Sequence, residues 1–181
     1  NDTGDVSRLI TCFPMKHSGR KARKGTGQIC TVALSIPVGS ASFWQGYLQG
    51  RGFEARFGER FGERLVAFHH PCGIEYELIE AKVDSRAPYS NGAVPQEHGL
   101  RGTYGVVVSV RDADNSEEFM QGGWNGRRLG TDGRYLRYEV GNGGSGAMVE
   151  FRIEPEVAAG SWTYGEGVPH HVAFEVADHA A

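Results

Sequence analysis

Residues 167–176, Gly-Val-Pro-His-His-Val-Ala-Phe-Glu-Val, hold the side chains best suited to chemistry. His170 and His171 stand together at the head of an alternating apolar run. A histidine that opens a strand can aim its imidazole into the hollow of a curved sheet, where a metal ligand is held rigidly. Neighbours on a strand face opposite sides, so His171 and His170 share a face only where the strand twists or bulges. An imidazole off the metal can still hold or release a proton near neutral pH. The other histidines offer less. His69 and His70 precede Pro71 in a turn, and His17, His98 and His179 stand alone in loops or near the end. Trp162, Tyr164 and Phe174 could line an aromatic pocket, although core or linker packing accounts for them more economically.

A strand that places a histidine needs a sheet around it, and two earlier runs share its pattern without the histidines: residues 31–36 (Thr-Val-Ala-Leu-Ser-Ile) and 105–110 (Gly-Val-Val-Val-Ser-Val). Each opens a unit of the same order, so residues 28–80 and 102–154 lie over one another as an internal repeat. A β-branched strand comes first (29–36; 104–110). Polar helix-start residues follow, Ser40 and Ser42 in one copy and Asp114, Asn115 and Ser116 in the other, whose side chains are expected to accept from first-turn amides. The first helix shows an apolar stripe of Phe43, Trp44, Tyr47 and Leu48. Its counterpart carries Phe119, Met120 and Trp124, and Gly122 and Gly123 shorten it. Further strands are expected at 53–57, 64–68 and 74–80, then at 128–129, 135–140 and 148–154. Thr31 to Glu77 is 46 residues and Gly105 to Glu150 is 45. The expected fold class is therefore α+β, built of tandem βαβββ modules with curved mixed sheets.

Composition narrows the function classes. A net charge of −3 gives no reason to expect nucleic acid or an anionic membrane as partner, and no apolar run approaches the roughly 20 residues needed to span a bilayer. The 27 glycines fall between short apolar runs as turn punctuation. Cys12, Cys30 and Cys72 form no CxxC pair; buried free thiols are the preferred reading, with a disulfide as the alternative. No leader-like stretch heads the chain, so a cytoplasmic location is expected. The first residue is not methionine, which suggests a cut or partial chain. Open, curved sheets also leave room for a second copy of the chain as a partner.

Three runs carry a resemblance: residues 95–102 (Pro-Gln-Glu-His-Gly-Leu-Arg-Gly), residues 60–64 (Arg-Phe-Gly-Glu-Arg) and residues 167–176. In order and spacing they resemble the glyoxalase-type ring-cleaving dioxygenases of the vicinal oxygen chelate superfamily, in the branch that contains the hydroquinone dioxygenases. The resemblance implies a full-length protein of four βαβββ modules. Residues 1–14 would then hold the closing strand of the first module and 15–27 a linker. Module two would be 28–82, followed by a linker at 83–100, and module three would be 101–157. Residues 158–181 would be a linker and the first strand of module four, which makes the chain an internal fragment. The family's metal is held by two histidines, on the first strands of modules one and four, and by a glutamate on the last strand of module four. Only one of these maps here, onto His171. The histidine before it, near the substrate in the family, maps onto His170.

The same resemblance implies iron(II), or manganese(II), as cofactor, with a small aromatic diol and O2 as partners. Two histidines and one carboxylate on one face of a divalent metal leave neighbouring positions open, as non-haem oxygenases require. At the ligand position the two complete modules carry Thr31 and Gly105, neither of which replaces imidazole. Glu77 and Glu150 sit at last-strand positions like that of the metal glutamate; without histidine partners they are expected to be ordinary paired or solvated strand carboxylates. Modules two and three thus read as scaffold, and the chain alone as inactive. Two alternatives stay open: a drug-sequestering protein that traps a planar ligand without metal, and a glyoxalase-I-like lyase that uses zinc or nickel and no oxygen.

Overall fold

The computed structural model describes residues 10–12, 21–161 and 165–174. Eight strands form one mixed sheet. In the first unit β1 (Gln28–Ile36) leads to helix α1 (Ala41–Gln49) and then to β2 (Arg56–Arg60), β3 (Glu63–His69) and β4 (Glu75–Glu80). The second unit repeats the order with β5 (Gly102–Val110), a short α2 (Asp114–Glu118), a π-helical turn at Phe119–Gly123, β6 (Arg127–Asp132), β7 (Tyr135–Glu139) and β8 (Met148–Ile153). Across the sheet the strands run β2-β3-β4-β1-β5-β8-β7-β6. Within each unit the first strand pairs in parallel with the last, β1 with β4 and β5 with β8. The units meet at an antiparallel β1–β5 seam, where Ala33 faces Gly105 and Thr31 faces Val107.

The α+β class expected from the repeat is what the chain adopts. Branched side chains at Ile29, Thr31, Val32 and Ile36 suit β1 because they pack well on a pleated surface. On one face of the sheet α1 buries Trp44 and Leu48 against Ile36, Val66 and Leu78. Beyond the seam, on the second unit, Met120 of the π-helical turn packs with Leu136, Tyr138, Val149 and Phe151. A third cluster bridges the units: Ala33, Leu65 and Ile79 pack with Tyr104 and Met148.

The sheet curls until its two outer hairpins touch. The β2–β3 loop is the pair Phe61 and Gly62, with φ of 53° and 70°, the double positive φ that matches strand twist in a two-residue hairpin. A left-handed conformation costs a residue with a Cβ about 1–2 kcal/mol. Two contacts offset that cost. The Phe61 amide donates to Asp132 Oδ2 of the β6–β7 hairpin at 2.6 Å, and the Arg137 guanidinium lies 4.1 Å from the Phe61 ring centre.

Several local expectations are revised. The β2 strand begins at Arg56, later than expected, because residues 53–55 turn off α1, with Ala55 O accepting from Gln45 and Gln49. Neither helix is capped by the side chains proposed for it. Ser40 Oγ turns instead to His98 Nδ1 at 3.0 Å, and Glu80 Oε1 accepts from the Ala41 amide at 2.7 Å. Ala113 stands at the cap of α2. Residues 169–174, expected to open a strand, form no ladder, and neither do Ile10, Thr11 and Cys12. A strand exists only where a neighbour completes its backbone hydrogen bonds, and among the described residues neither segment has one. The remainder of both segments, and Trp162 and Tyr164, lie outside the described residues.

Candidate functional site

Two places on the curled sheet gather the polar side chains with chemical potential. The first is the hollow. Glu77 of β4 and Glu150 of β8 occupy equivalent positions, one paired with Ala33 of β1 and the other with Val107 of β5. Both are buried, 4% and 3% exposed, on the inner face. Arg60, at the end of β2, binds Glu77 of its own unit and reaches across the seam to Glu150. Its Nη1 donates to Glu77 Oε1 at 2.9 Å and its Nε to Glu150 Oε2 at 2.7 Å. Arg137 of β7 lies on the other side of Glu150, with Nε 2.9 Å from Oε1, and its Nη1 donates to Glu63 Oε2 at 2.6 Å. The Tyr104 hydroxyl donates to the same Glu63 oxygen at 2.7 Å. Tyr135 and Phe61 cover the two guanidinium groups.

Charge in this cluster is nearly balanced, with three carboxylates against two guanidinium groups. Burial pushes the Glu150 carboxyl above its ordinary range, and Arg60 and Arg137 pull it back. Burial raises the Tyr104 phenol as well. The Arg60 guanidinium is disfavoured by burial, yet Glu77 and Glu150 outweigh this and hold its proton more tightly than usual. Glu77 and Glu150 are therefore paired rather than solvated. Their acceptor positions are taken by guanidinium, and Phe61 and Tyr135 close the hollow above. Nothing at the head of the strands could replace them as ligands: Thr31 is fully buried, and a Cβ at Gly105 would overlap the backbone carbonyl of Met148. Sequence reading did not find this cluster. Its available signal was the pair of charges flanking a two-residue turn, Arg60 and Glu63 around Phe61 and Gly62.

The second place is the histidine pair. His170 and His171 are both exposed, and their Nδ1 atoms face each other at 2.5 Å. Three residues after His171, Phe174 packs edge-on against Trp124, ring centres 5.2 Å apart, at one side of an apolar cleft of about 300 Å³ that also takes in Phe119, Met120 and Phe151. Among the described residues no three His, Cys, Asp or Glu side chains converge as a metal site. His171 supplies one donor, so the described residues do not by themselves fit the implied metal.

The remaining candidates resolve into packing. His98 stacks on Phe43 with ring centres 4.2 Å apart, and its carbonyl accepts from Trp44 Nε1 at 2.8 Å, so it pins the 95–100 segment to α1. Ser40 is 1% exposed, too buried to be a nucleophile despite its contact with His98. The three cysteines are free; Cys12 is exposed and the other two half-buried, so none is the core thiol expected. His70 Nδ1 approaches Cys72 Sγ at 2.9 Å within the turn that Pro71 opens.

No family model matches the chain. It is 38% identical over 181 residues to the chlorohydroquinone/hydroquinone 1,2-dioxygenase of Sphingobium indicum, covering 98% of this chain and 56% of that protein. It is 26% identical over 178 residues to Bacillus subtilis MhqO, which is named as a ring-cleaving dioxygenase; here 98% of this chain and 55% of that protein are covered. A crystal structure described as a Bacillus subtilis dioxygenase superposes with a TM-score of 0.79 at 25% identity, covering 89% of this chain and 51% of that one. Glyoxalase I of Zea mays superposes with a TM-score of 0.52 at 15% identity, over 81% of this chain and 49% of that one, a likeness of fold. The chain thus spans about half the length of the curated relatives it matches.

Proposed function

We propose that this chain belongs to the vicinal oxygen chelate superfamily, in the branch of the ring-cleaving dioxygenases, and, from that premise, that the whole protein opens the ring of a catechol or hydroquinone with O2. The observation that carries this reading is the match along nearly the entire chain to a chlorohydroquinone/hydroquinone dioxygenase. In this reading the two βαβββ units are scaffold. Their hollow is occupied by the Arg60–Glu77–Glu150–Arg137 cluster, which leaves no open face for a flat aromatic ring, so the ring binds elsewhere in the protein.

His171 is assigned as one imidazole ligand of a divalent metal, iron(II) or manganese(II), whose other donors come from outside the described residues. When bound, such a metal supplies the redox chemistry that joins O2 to an electron-rich ring. His170, beside it, is assigned to hold or pass a proton of the diol. Both imidazoles are exposed, so a substrate can reach them.

The test uses the whole protein, with metal analysis and an oxygen electrode. Oxygen uptake with hydroquinone or a catechol is expected, together with one tightly held iron or manganese. His171→Ala should abolish metal retention, and His170→Ala should lower kcat while the metal stays. Full turnover without metal, or undiminished activity after His171→Ala, would overturn the assignment. This chain by itself is expected neither to hold stoichiometric metal nor to consume oxygen, because a single imidazole cannot compete with water for iron(II).

A further inference from the structure

Two connecting segments meet where no strand is assigned, residues 21–28 before and into β1 and residues 158–161 with 165–167 after β8. They touch through two isolated parallel bridges, Lys21 with Glu166 and Thr26 with Ala159. The Ala22 amide donates to Glu166 O at 3.2 Å, the Ser161 amide to Arg23 O at 2.8 Å, the Gly160 amide to Thr26 O at 2.9 Å and the Thr26 amide to Ala158 O at 3.0 Å. The Gln28 side chain staples the pair from within. Its Oε1 accepts from the Gly25 amide at 3.1 Å, and its Nε2 donates to Arg23 O at 3.2 Å and to Ser161 O at 2.8 Å.

The approach is too close for side chains at three positions. A Cβ on Gly25 would overlap the Ala158 carbonyl, and one on Gly165 would overlap the Ala22 amide. At Gly167, with φ of 93°, a Cβ would fall 2.6 Å from Cys72 O, in the turn between β3 and β4. All three obstacles are backbone, which cannot rotate aside as a side chain can. Contacts of this closeness exist only where glycine stands. His170 follows Gly167 by three residues, so the joint fixes where the chain leaves the sheet on its way to the histidines.

We propose that Gly165, Gly167 and Gln28 are positioning residues for the His170–His171 pair, acting through this backbone joint. The assignment rests on the reading that His171 is functional. Without the joint, the segment that carries the pair would lose its backbone anchor at Gly167, and nothing at that end would fix its approach to a partner group. A small misplacement of a catalytic group costs far more in rate than in stability.

Backbone ¹⁵N relaxation on this chain tests the joint. In the native chain, residues 168–172 should show order parameters near those of the β-strands, about 0.85 for rigid backbone. In Gly165→Ala and Gly167→Ala they should fall below about 0.6, the flexible range, while β1–β8 stay rigid. Gln28→Ala removes the staple without a clash and should give a smaller fall in the same residues, which keeps the test usable where an alanine variant fails to fold. Gly122→Ala, whose added Cβ meets nothing, should leave them unchanged. Native order parameters already below 0.6 at 168–172, or no fall in the folded variants, would overturn the proposal. In the whole protein, Gln28→Ala should weaken manganese(II) binding at least tenfold with a smaller change in Tm than Gly165→Ala. Retention of metal by His171→Ala sinks the functional reading and leaves the joint standing. Loss of metal in His171→Ala, with rigid histidines in every joint variant, sinks the joint alone.

Discussion

Asp84 shows how one carboxylate ties an irregular segment to the sheet. It follows β4, its side chain only 2% exposed, and accepts from the Arg86 amide at 3.0 Å, from Arg86 Nε at 2.9 Å and from Nη2 at 2.7 Å. Arg86 also donates to Thr103 O in β5, and the Arg101 guanidinium reaches Asp84 O. Burial alone would raise the Asp84 carboxyl; the Arg86 hydrogen bonds outweigh it and hold the group down to about 2. A depressed carboxylate stabilises the fold above its unfolded pKa near 3.9, and that contribution disappears as pH falls through the folded value. Holding the carboxyl that far down is worth about 2.5 kcal/mol. Urea unfolding of Asp84→Asn should therefore show a loss of about 2.5 kcal/mol at pH 7, and the gap to the native chain should close between about pH 4 and pH 2. A gap that stays constant across that range would remove this pairing as its cause. In the sequence the segment reads as linker from its Pro, Ser and Gly, and the spacing of Asp84 and Arg86 announces a local pair. That the pair is buried against β5 depends on packing, which composition does not encode.

At the level of elements, helix α1 offers a direct test of local propensity. Gly46 lies within it, and an added Cβ there meets nothing. Alanine should stabilise the protein by about 0.5–1 kcal/mol, since glycine in a helix interior loses the most backbone entropy. A lower midpoint in chemical denaturation would mean that the position serves a contact this structure does not display. The stripe of Phe43, Trp44, Tyr47 and Leu48 was legible because a helix repeats its buried face every three to four residues. The strand runs were legible for the corresponding reason of branched residues bounded by glycine turns. The helix starts were not, because Ser40 had two available partners and only tertiary structure brings His98 to it. The second helix shows another limit. Gly122 and Gly123 predicted its shortness, but not that Phe119–Gly123 would widen into a π turn and place Met120 in the core at 1% exposure. Residues 169–174 alternate as a strand should, and alternation alone does not supply the neighbouring edge that makes one. The histidines they carry were the readable part of the candidate site; the glycine joint behind them was not, since nothing in the sequence says which glycines meet backbone.

Across the whole molecule, the two units are joined at the β1–β5 seam, at the hairpin tips and through the buried charges. Three of those ionic or hydrogen-bonded contacts cross between units: Arg60 to Glu150, Arg137 to Glu63, and Tyr104 to Glu63. Each unit thus inserts an arginine among the other's carboxylates. A buried pair adds little over a well-packed apolar replacement, yet removing one member alone costs about 3–5 kcal/mol because a charge is left without compensation. Arg60→Met would leave Glu77 without its guanidinium and Glu150 with Arg137 only, and should destabilise the chain by about that amount. Burial already holds Glu150 above the ordinary carboxylate range, and loss of Arg60 removes one of the charges opposing that rise. A raised carboxylate penalises the fold above its folded pKa and ceases to do so as pH falls through it. The Arg60→Met deficit should therefore be smaller at pH 5 than at pH 7, and Glu150→Gln added to Arg60→Met should recover part of it at pH 7. Urea unfolding of the single and double variants at both pH values measures this. A deficit below about 1 kcal/mol, the scale of an exposed ion pair, or one indifferent to pH, would mean that the hollow is held by its apolar contacts and that the charges are incidental to joining the two units.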